Sequence, residues 1–174
     1  QVMQTNDPLE SMTDAELQFL LDNLDQFDDL DAQETELVVD ELQKRRDARA
    51  CRDDLIEFCK KMQPDYKVGE HHRRLADQLM AIARGPDGEK DPETGEIVEG
   101  KDRICVNIPP RHGKSQLVSI YFPAWFLGKY PSRKVLMVSH TTDLAVDFGR
   151  KVRNLIDTPA YKQIFPTVTL AARS

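Results

Sequence analysis

A chain of 174 residues with 40% hydrophobic and 31% charged side chains has the composition of one globular domain with an appendage. No apolar run approaches the ~20 residues of a membrane span, and no secretory signal is visible at the N-terminus. The three cysteines, Cys51, Cys59 and Cys105, lack C-x-x-C spacing, which argues against disulfides and zinc and for a reducing compartment.

The net charge of −6 is unevenly placed. Residues 1–43 hold 13 Asp and Glu and no Lys or Arg, so the remainder carries 24 basic against 17 acidic residues. A net basic surface suits a polyanionic partner, although an ordinary solvated surface has the same composition.

In chain order, Thr13-Asp14-Ala15-Glu16 is a capping-box pattern, followed by Leu17, Leu20, Leu21 and Leu24 at helical spacing. A longer helix is predicted from Ala32 to Met62, stopped by Pro64. Residues 1–62 thus read as an acidic helical arm, either a plain hairpin or a docking arm for another protein. Residues 70–84 form an amphipathic helix with Leu75, Leu79 and Ile82 on one side. The Gly-, Pro- and acid-rich segment 85–100 reads as a mobile surface loop or small hairpin.

Arg103-Ile104-Cys105-Val106-Asn107-Ile108 looks like a buried strand, and Gln116 to Leu127 like a helix that Pro123 kinks or ends near Phe122. Between them lies Pro109-Pro110-Arg111-His112-Gly113-Lys114-Ser115. Strand, loop, Gly-Lys-Ser, helix is the arrangement of a phosphate-binding loop. Gly113, without a Cβ, lets the backbone approach phosphate, Lys114 reaches the β- and γ-phosphates, and the Ser115 hydroxyl holds Mg²⁺. The loop departs from the usual pattern. Ile108 stands where a glycine normally opens it, two prolines stiffen it, and Arg111 lies inside it.

Further on, Val135 to Val138 reads as a second buried strand and Thr142 to Ile156 as a helix with Leu144, Phe148, Val152 and Leu155 facing inward. A weak strand candidate spans Thr167 to Leu170. Two apolar strands separated by a helix predict a parallel βαβ unit. The expected fold is therefore α/β. Residues 63–174 would be the N-terminal part of a P-loop NTPase domain, a parallel sheet with flanking helices, preceded by the α-helical arm. Ser139-His140 would stand at the ligand edge of that sheet. Arg150, Lys151 and Arg153 form a basic run on a helix, either solvated or in contact with DNA phosphates.

The Pro109–Ser115 string has company on both sides. Upstream are Phe58 to Tyr66, the pair His71-His72, Leu75 and Leu79. Downstream are Phe122-Pro123-Ala124-Trp125, Leu127-Gly128, Pro131, Val135 to His140, Tyr161 and Phe165-Pro166. From about Leu55 to Pro166 this order and spacing resembles the large terminase subunit of tailed bacteriophages. The resemblance implies the ATPase motor that drives double-stranded DNA into an empty procapsid, binding Mg-ATP through Pro109–Ser115. A concatemer-cutting endonuclease is expected in a C-terminal domain absent from this chain.

Carried over residue by residue, the resemblance makes Lys114 and Arg111 catalytic. Arg111 would act as an arginine finger within its own subunit or on its neighbour, the alternative being a loop ion pair. Pro110, Arg111, His112, Gly113, Lys114, Ser115 and Gln116 would contact the nucleotide, and Ser115 the Mg²⁺. His112 reads otherwise as a loop spacer. Tyr66 would stack on adenine, with His71 or His72 where the family's adenine-reading Gln usually sits; the alternative is that these residues cap and pack the helix. Implied partners are double-stranded DNA, a small terminase subunit, a portal protein and further copies of the chain in a ring, with no membrane. The expected location is the host cytoplasm, transiently at the procapsid portal. No strand candidate after Ser115 ends in the carboxylate pair of a Walker B motif. The chain alone is therefore expected to bind nucleotide without hydrolysing it. Two other readings stand beside this one, a helicase-like P-loop NTPase and a non-catalytic interaction fragment that docks a small terminase or portal.

Overall fold

A computed structural model describes residues 12–23 and 32–170 of the chain. It divides into two compact units, residues 1–49 and 50–174. Leu24, expected to extend the first helix, lies outside the described residues, as do residues 171–174.

In the first unit, helix α1 (Asp14–Asp22) opens on Thr13. The Glu16 N–H donates to the Thr13 hydroxyl at 3.2 Å, and the Thr13 N–H donates to the Glu16 carboxylate at 2.7 Å. The capping box thereby satisfies two N–H groups that a helix start leaves without partners. Helix α2 (Ala32–Asp53) begins in this unit. Its Val38 and Leu42 bury Leu17, with Met12 and Leu21 alongside. Arg45 pairs with Glu41 at 2.9 Å on its own helix and with Asp14 at 3.3 Å on α1.

The second unit is built of helices. The single helix expected from Ala32 to Met62 is two, α2 and α3 (Leu55–Met62). Asp54 divides them. Its backbone is extended (φ −127°, ψ 121°), and its carboxylate accepts the N–H groups of Ile56 at 2.6 Å and Glu57 at 3.0 Å. An aspartate that satisfies the first donors of a following helix works as a helix start. The restart lets α3 bury Leu55, Ile56, Phe58 and Cys59. Helix α4 (Glu70–Arg84) buries Leu75, Ala76 and Leu79. Burial also pushes the Cys59 thiol pKa far above its usual range.

A helical run follows the loop in three pieces: α5 (Lys114–Gln116), a π-helical turn (Leu117–Tyr121) and α6 (Phe122–Lys129). Pro123 does not break this run. It sits in the first turn of α6, where its missing N–H costs nothing, and the wider turn before it is closed by the Phe122 N–H on the Leu117 carbonyl. Helix α7 (Thr142–Ile156) and α8 (Pro159–Ile164) complete the unit. Val152 and Ile156 of α7 are buried and Leu155 packs beside them, whereas Leu144 at the other end is exposed. Phe58 lies at the centre, with ring centroids of Tyr121, Tyr161 and Phe165 at 6.4, 6.1 and 6.1 Å. The buried aromatic donors are satisfied, Trp125 Nε1–H on the Cys51 carbonyl at 3.0 Å and Tyr161 O–H on the Ala124 carbonyl at 2.8 Å. The Phe165 ring lies flat against Gly128, where an added Cβ would fall 2.5 Å from it.

The expected parallel sheet is not present, and the α/β assignment is corrected to a mainly helical fold. Among the described residues the sheet is a two-stranded antiparallel hairpin, β1 (Glu89–Lys90) with β2 (Ile97–Val98), Glu89 opposite Val98 and Lys90 opposite Ile97. It lies in the segment read as a loop or small hairpin. Arg84 donates to the Glu99 carbonyl at 2.9 Å and Tyr130 to the Glu89 carboxylate at 2.7 Å, which ties the hairpin to the helices. Neither 103–108 nor 135–138 joins a ladder, and 167–170 forms no strand. An apolar run becomes a strand only when a second one lies beside it to take its N–H and C=O groups. Here Val106 and Ile108 pack one-sidedly on the helical core. Cys105 is exposed, and Leu136 and Val138 are 89% and 82% exposed.

Replacing Asp54 by alanine is expected to remove the start signal of α3 and cost about 1 kcal/mol. In urea unfolding the midpoint should drop while the slope is unchanged.

Candidate functional site

The segment 109–113 is a turn with an unusual backbone. Arg111 (φ 66°) and Gly113 (φ 71°) are both left-handed. Glycine adopts this conformation freely, whereas for Arg111 it costs about 1–2 kcal/mol. Left-handed residues set into a turn are the backbone pattern of anion-binding nests. The Lys114 ammonium bends back to donate to the Ile108 carbonyl at 3.2 Å, so the cation spans the loop from its end to its beginning. The Ser115 side chain is exposed. Arg111 is exposed too and makes no hydrogen bond or ion pair among the described residues, so its charge is not consumed by a carboxylate.

Beside the loop is a cavity of about 620 Å³. Arg111, His112, Gly113 and Gln116 form one wall, and the segment from Gln63 to His72, joining α3 to α4, forms the other. Of the residues expected at the nucleotide, the structure thus gathers Tyr66, His72, Arg111, His112, Gly113 and Gln116 around one space. Lys114 and Ser115 follow directly in α5. Pro110 is exposed, and its carbonyl accepts from His112 Nδ1 at 2.8 Å. His71, the other candidate for the base, lines the same cavity.

Two polar atoms of residues that line this cavity, the Tyr66 hydroxyl and His71 Nε2, are buried without a hydrogen-bond partner among the described residues. Such atoms cost free energy unless something pairs with them. Burial pushes the Tyr66 hydroxyl pKa well up, helped by Cys59 and Tyr121, so it stays protonated and able to donate.

Gln63 belongs to this site although sequence reasoning passed it over. It caps the end of α3. Its side-chain oxygen accepts from Gln116 Nε2 and from the Tyr121 hydroxyl, both at 2.7 Å. That arrangement orients the amide and leaves its nitrogen without a partner among the described residues. The only local sign is a polar residue between Met62 and Pro64.

His72 is buried and uses both ring nitrogens. Nδ1 accepts the Gly69 N–H at 3.0 Å, so the ring proton sits on Nε2, which donates to the His112 carbonyl at 3.0 Å. Burial, then the neighbouring His71, then His112 hold its pKa below the usual imidazole value, against the opposing pull of the His112 carbonyl. With both nitrogens committed, His72 offers a nucleotide only its ring.

Other candidates lie apart. Ser139 and His140 do not line the cavity, and the sheet edge they were expected to mark does not exist. Lys151 pairs with Asp147 at 2.7 Å and Arg150 with the same carboxylate at 3.8 Å, which partly neutralises the basic run. Among the described residues no group of three or more His, Cys, Asp or Glu is placed to hold a metal ion, and no helix is long and apolar enough to cross a membrane. A phosphate-bound Mg²⁺ keeps several waters and takes only one or two protein ligands, a role that the exposed Ser115 hydroxyl fits.

No protein-family model matches the chain, and no curated protein or solved structure matches it.

Gly113→Ala would force a Cβ into the left-handed region and to 2.6 Å from His72 Nε2. The expected loss is at least about 1–2 kcal/mol. Chemical denaturation measures it, and the His72 ring resonances should shift.

Proposed function

We propose that this chain binds Mg-ATP at the 109–115 loop and is the nucleotide-binding part of a DNA-packaging motor of the large-terminase type. The observation that carries the reading is the loop itself. Left-handed Arg111 and Gly113 frame it, Lys114 spans it, Arg111 is unpaired, and a cavity of about 620 Å³ opens beside it. The reading rests on this local geometry and on the resemblance of the 55–166 segment. It does not require the sheet that the fold lacks.

In this reading the triphosphate lies along the loop. Lys114 moves from the Ile108 carbonyl to the β- and γ-phosphates, exchanging one oxygen partner for another. Arg111 reaches the γ-phosphate, where charge develops during transfer. The Ser115 hydroxyl would be the protein ligand to Mg²⁺, and the ion would supply charge neutralisation at the phosphates. The base enters between Tyr66 and Gln63. Tyr66 offers a ring face, and the Gln63 amide nitrogen donates to a base acceptor. Asp65 is the one carboxylate that lines the cavity among the described residues. The resemblance places the water-activating acid on a later strand, so binding without turnover is the activity expected of this segment. Double-stranded DNA would be held mainly through its phosphates and therefore salt-sensitively.

A second reading concerns the first unit. Phe19, Leu37 and Val39 are exposed there on a strongly acidic segment. That combination suits docking of a small terminase or portal protein, and it is compatible with the first reading.

Calorimetry with a non-hydrolysable Mg-ATP analogue tests the proposal. The chain should bind, and Lys114→Ala should weaken binding at least tenfold, about 1.4 kcal/mol or more. Equal affinity in both would refute the assignment of Lys114. Gln63→Ala should weaken the ATP analogue severalfold while leaving inorganic triphosphate unaffected, because only the former carries a base.

A further inference from the structure

His72 occupies a position that neither helix capping nor base recognition accounts for by itself. It stands three residues after Gly69, where a capping box normally carries Glu or Gln. Nδ1 performs that task on the Gly69 N–H. Unlike a carboxylate, the ring has a second nitrogen on its far side, and this one holds the His112 carbonyl at 3.0 Å. That carbonyl belongs to the peptide joining His112 to left-handed Gly113. The ring also occupies the space at Gly113 where a Cβ would stand. One imidazole thus ties the start of α4 to the apex of the loop across 40 residues of sequence.

We propose that His72 is a positioning residue that holds the phosphate loop in its anion-binding shape, and that it does so only as the neutral Nε2–H tautomer. Protonation turns Nδ1 from acceptor into donor, facing the Gly69 N–H, and the anchored side of the ring is lost. The groups around it favour the neutral ring. The His71 ring lies 3.9 Å away between centroids, tilted by 41°, and Tyr66 lies at 5.6 Å. His112 stands 5.7 Å from His71. Lys67 and Arg111 are the cations lining the same cavity, and Asp65 is the one carboxylate there among the described residues. The linkage has a definite sign. A histidine whose folded pKa is depressed contributes its stabilisation in full above the unfolded value of about 6.5, and loses it as pH falls below that value. Loop order should therefore be present at pH 8 and lost on acidification.

For its ligand readout the inference rests on the nucleotide-binding reading, so the test has two independent arms. The first is long-range ¹⁵N–¹H NMR of the ligand-free chain. The His72 ring should show the Nε2–H tautomer and titrate below the ordinary imidazole value, and the Gly113 amide should move with it. An Nδ1–H tautomer, or a Gly113 amide indifferent to the His72 titration, overturns the proposal. The second arm is affinity for a non-hydrolysable Mg-ATP analogue at pH 8 and pH 5.5. Wild type should lose affinity as His72 protonates, approaching tenfold for each pH unit below the midpoint of its NMR titration. His72→Gln presents an oxygen to Gly69 and an NH₂ to His112 without titrating. It should bind nearly as wild type at pH 8 and lose at most a few-fold at pH 5.5. His72→Phe keeps a ring without hydrogen bonds and should bind weakly at both. A His72→Gln variant that keeps the full wild-type pH dependence overturns the proposal. If wild type binds no nucleotide at either pH, the nucleotide reading fails, and the NMR arm alone decides whether His72 positions the loop.

Discussion

Burial of the helical run from Lys114 to Lys129 along Leu117, Tyr121, Ala124 and Trp125 positions the loop and everything near it. These residues press on α3, where Phe58 meets Tyr121, and on the end of α2, where Trp125 Nε1–H donates to the Cys51 carbonyl. Full burial of an aromatic or aliphatic side chain contributes about 1.5–3 kcal/mol. Leu117, Tyr121 and Trp125, three such side chains, make the run a fixed beam, and the loop is the ordered entry to it. The same beam carries Gln116 and Tyr121, whose hydrogen bonds to Gln63 set the opposite wall of the cavity. A loop of this kind is usually steadied by a sheet. Here the fixed elements are helices.

This arrangement explains which parts were legible in the sequence. The capping box at Thr13, the amphipathic helix at 70–84 and the helix at 142–156 depend on residues three or four apart, and the structure contains all three. The glycine at 113 marked a close backbone approach, and the structure holds it left-handed against the His72 ring. The break at Asp54 was hidden because an aspartate among charged neighbours, Arg52 and Asp53, reads as one more polar helical position until its carboxylate is seen on the Ile56 N–H. The sheet failed for a different reason. Apolarity at 103–108 and 135–138 is local, but strand pairing is a relation between distant segments. Gln63 was invisible on the same account, since its partner Gln116 lies 53 residues away.

The cavity combines committed and uncommitted polar groups. His72 and the oxygen of Gln63 are fully engaged with protein atoms. Among the described residues, the Arg111 guanidinium and the Gln63 amide nitrogen are not. The engaged groups set the shape, and the disengaged ones carry the capacity to bind. Such a division is what preorganisation means at the level of single atoms, because the shape is held before a ligand arrives.

Two glycines inside helices illustrate how differently the fold constrains its own variation. At Gly149 on α7 an added Cβ would meet no atom within 4 Å, so alanine should enter there freely and, as a better helix former, with a gain of up to about 1 kcal/mol. At Gly128 the same carbon would collide with three atoms of the Phe165 ring, itself 3% exposed. A library randomised at both positions and selected for folded chains would return many letters at 149 and one at 128.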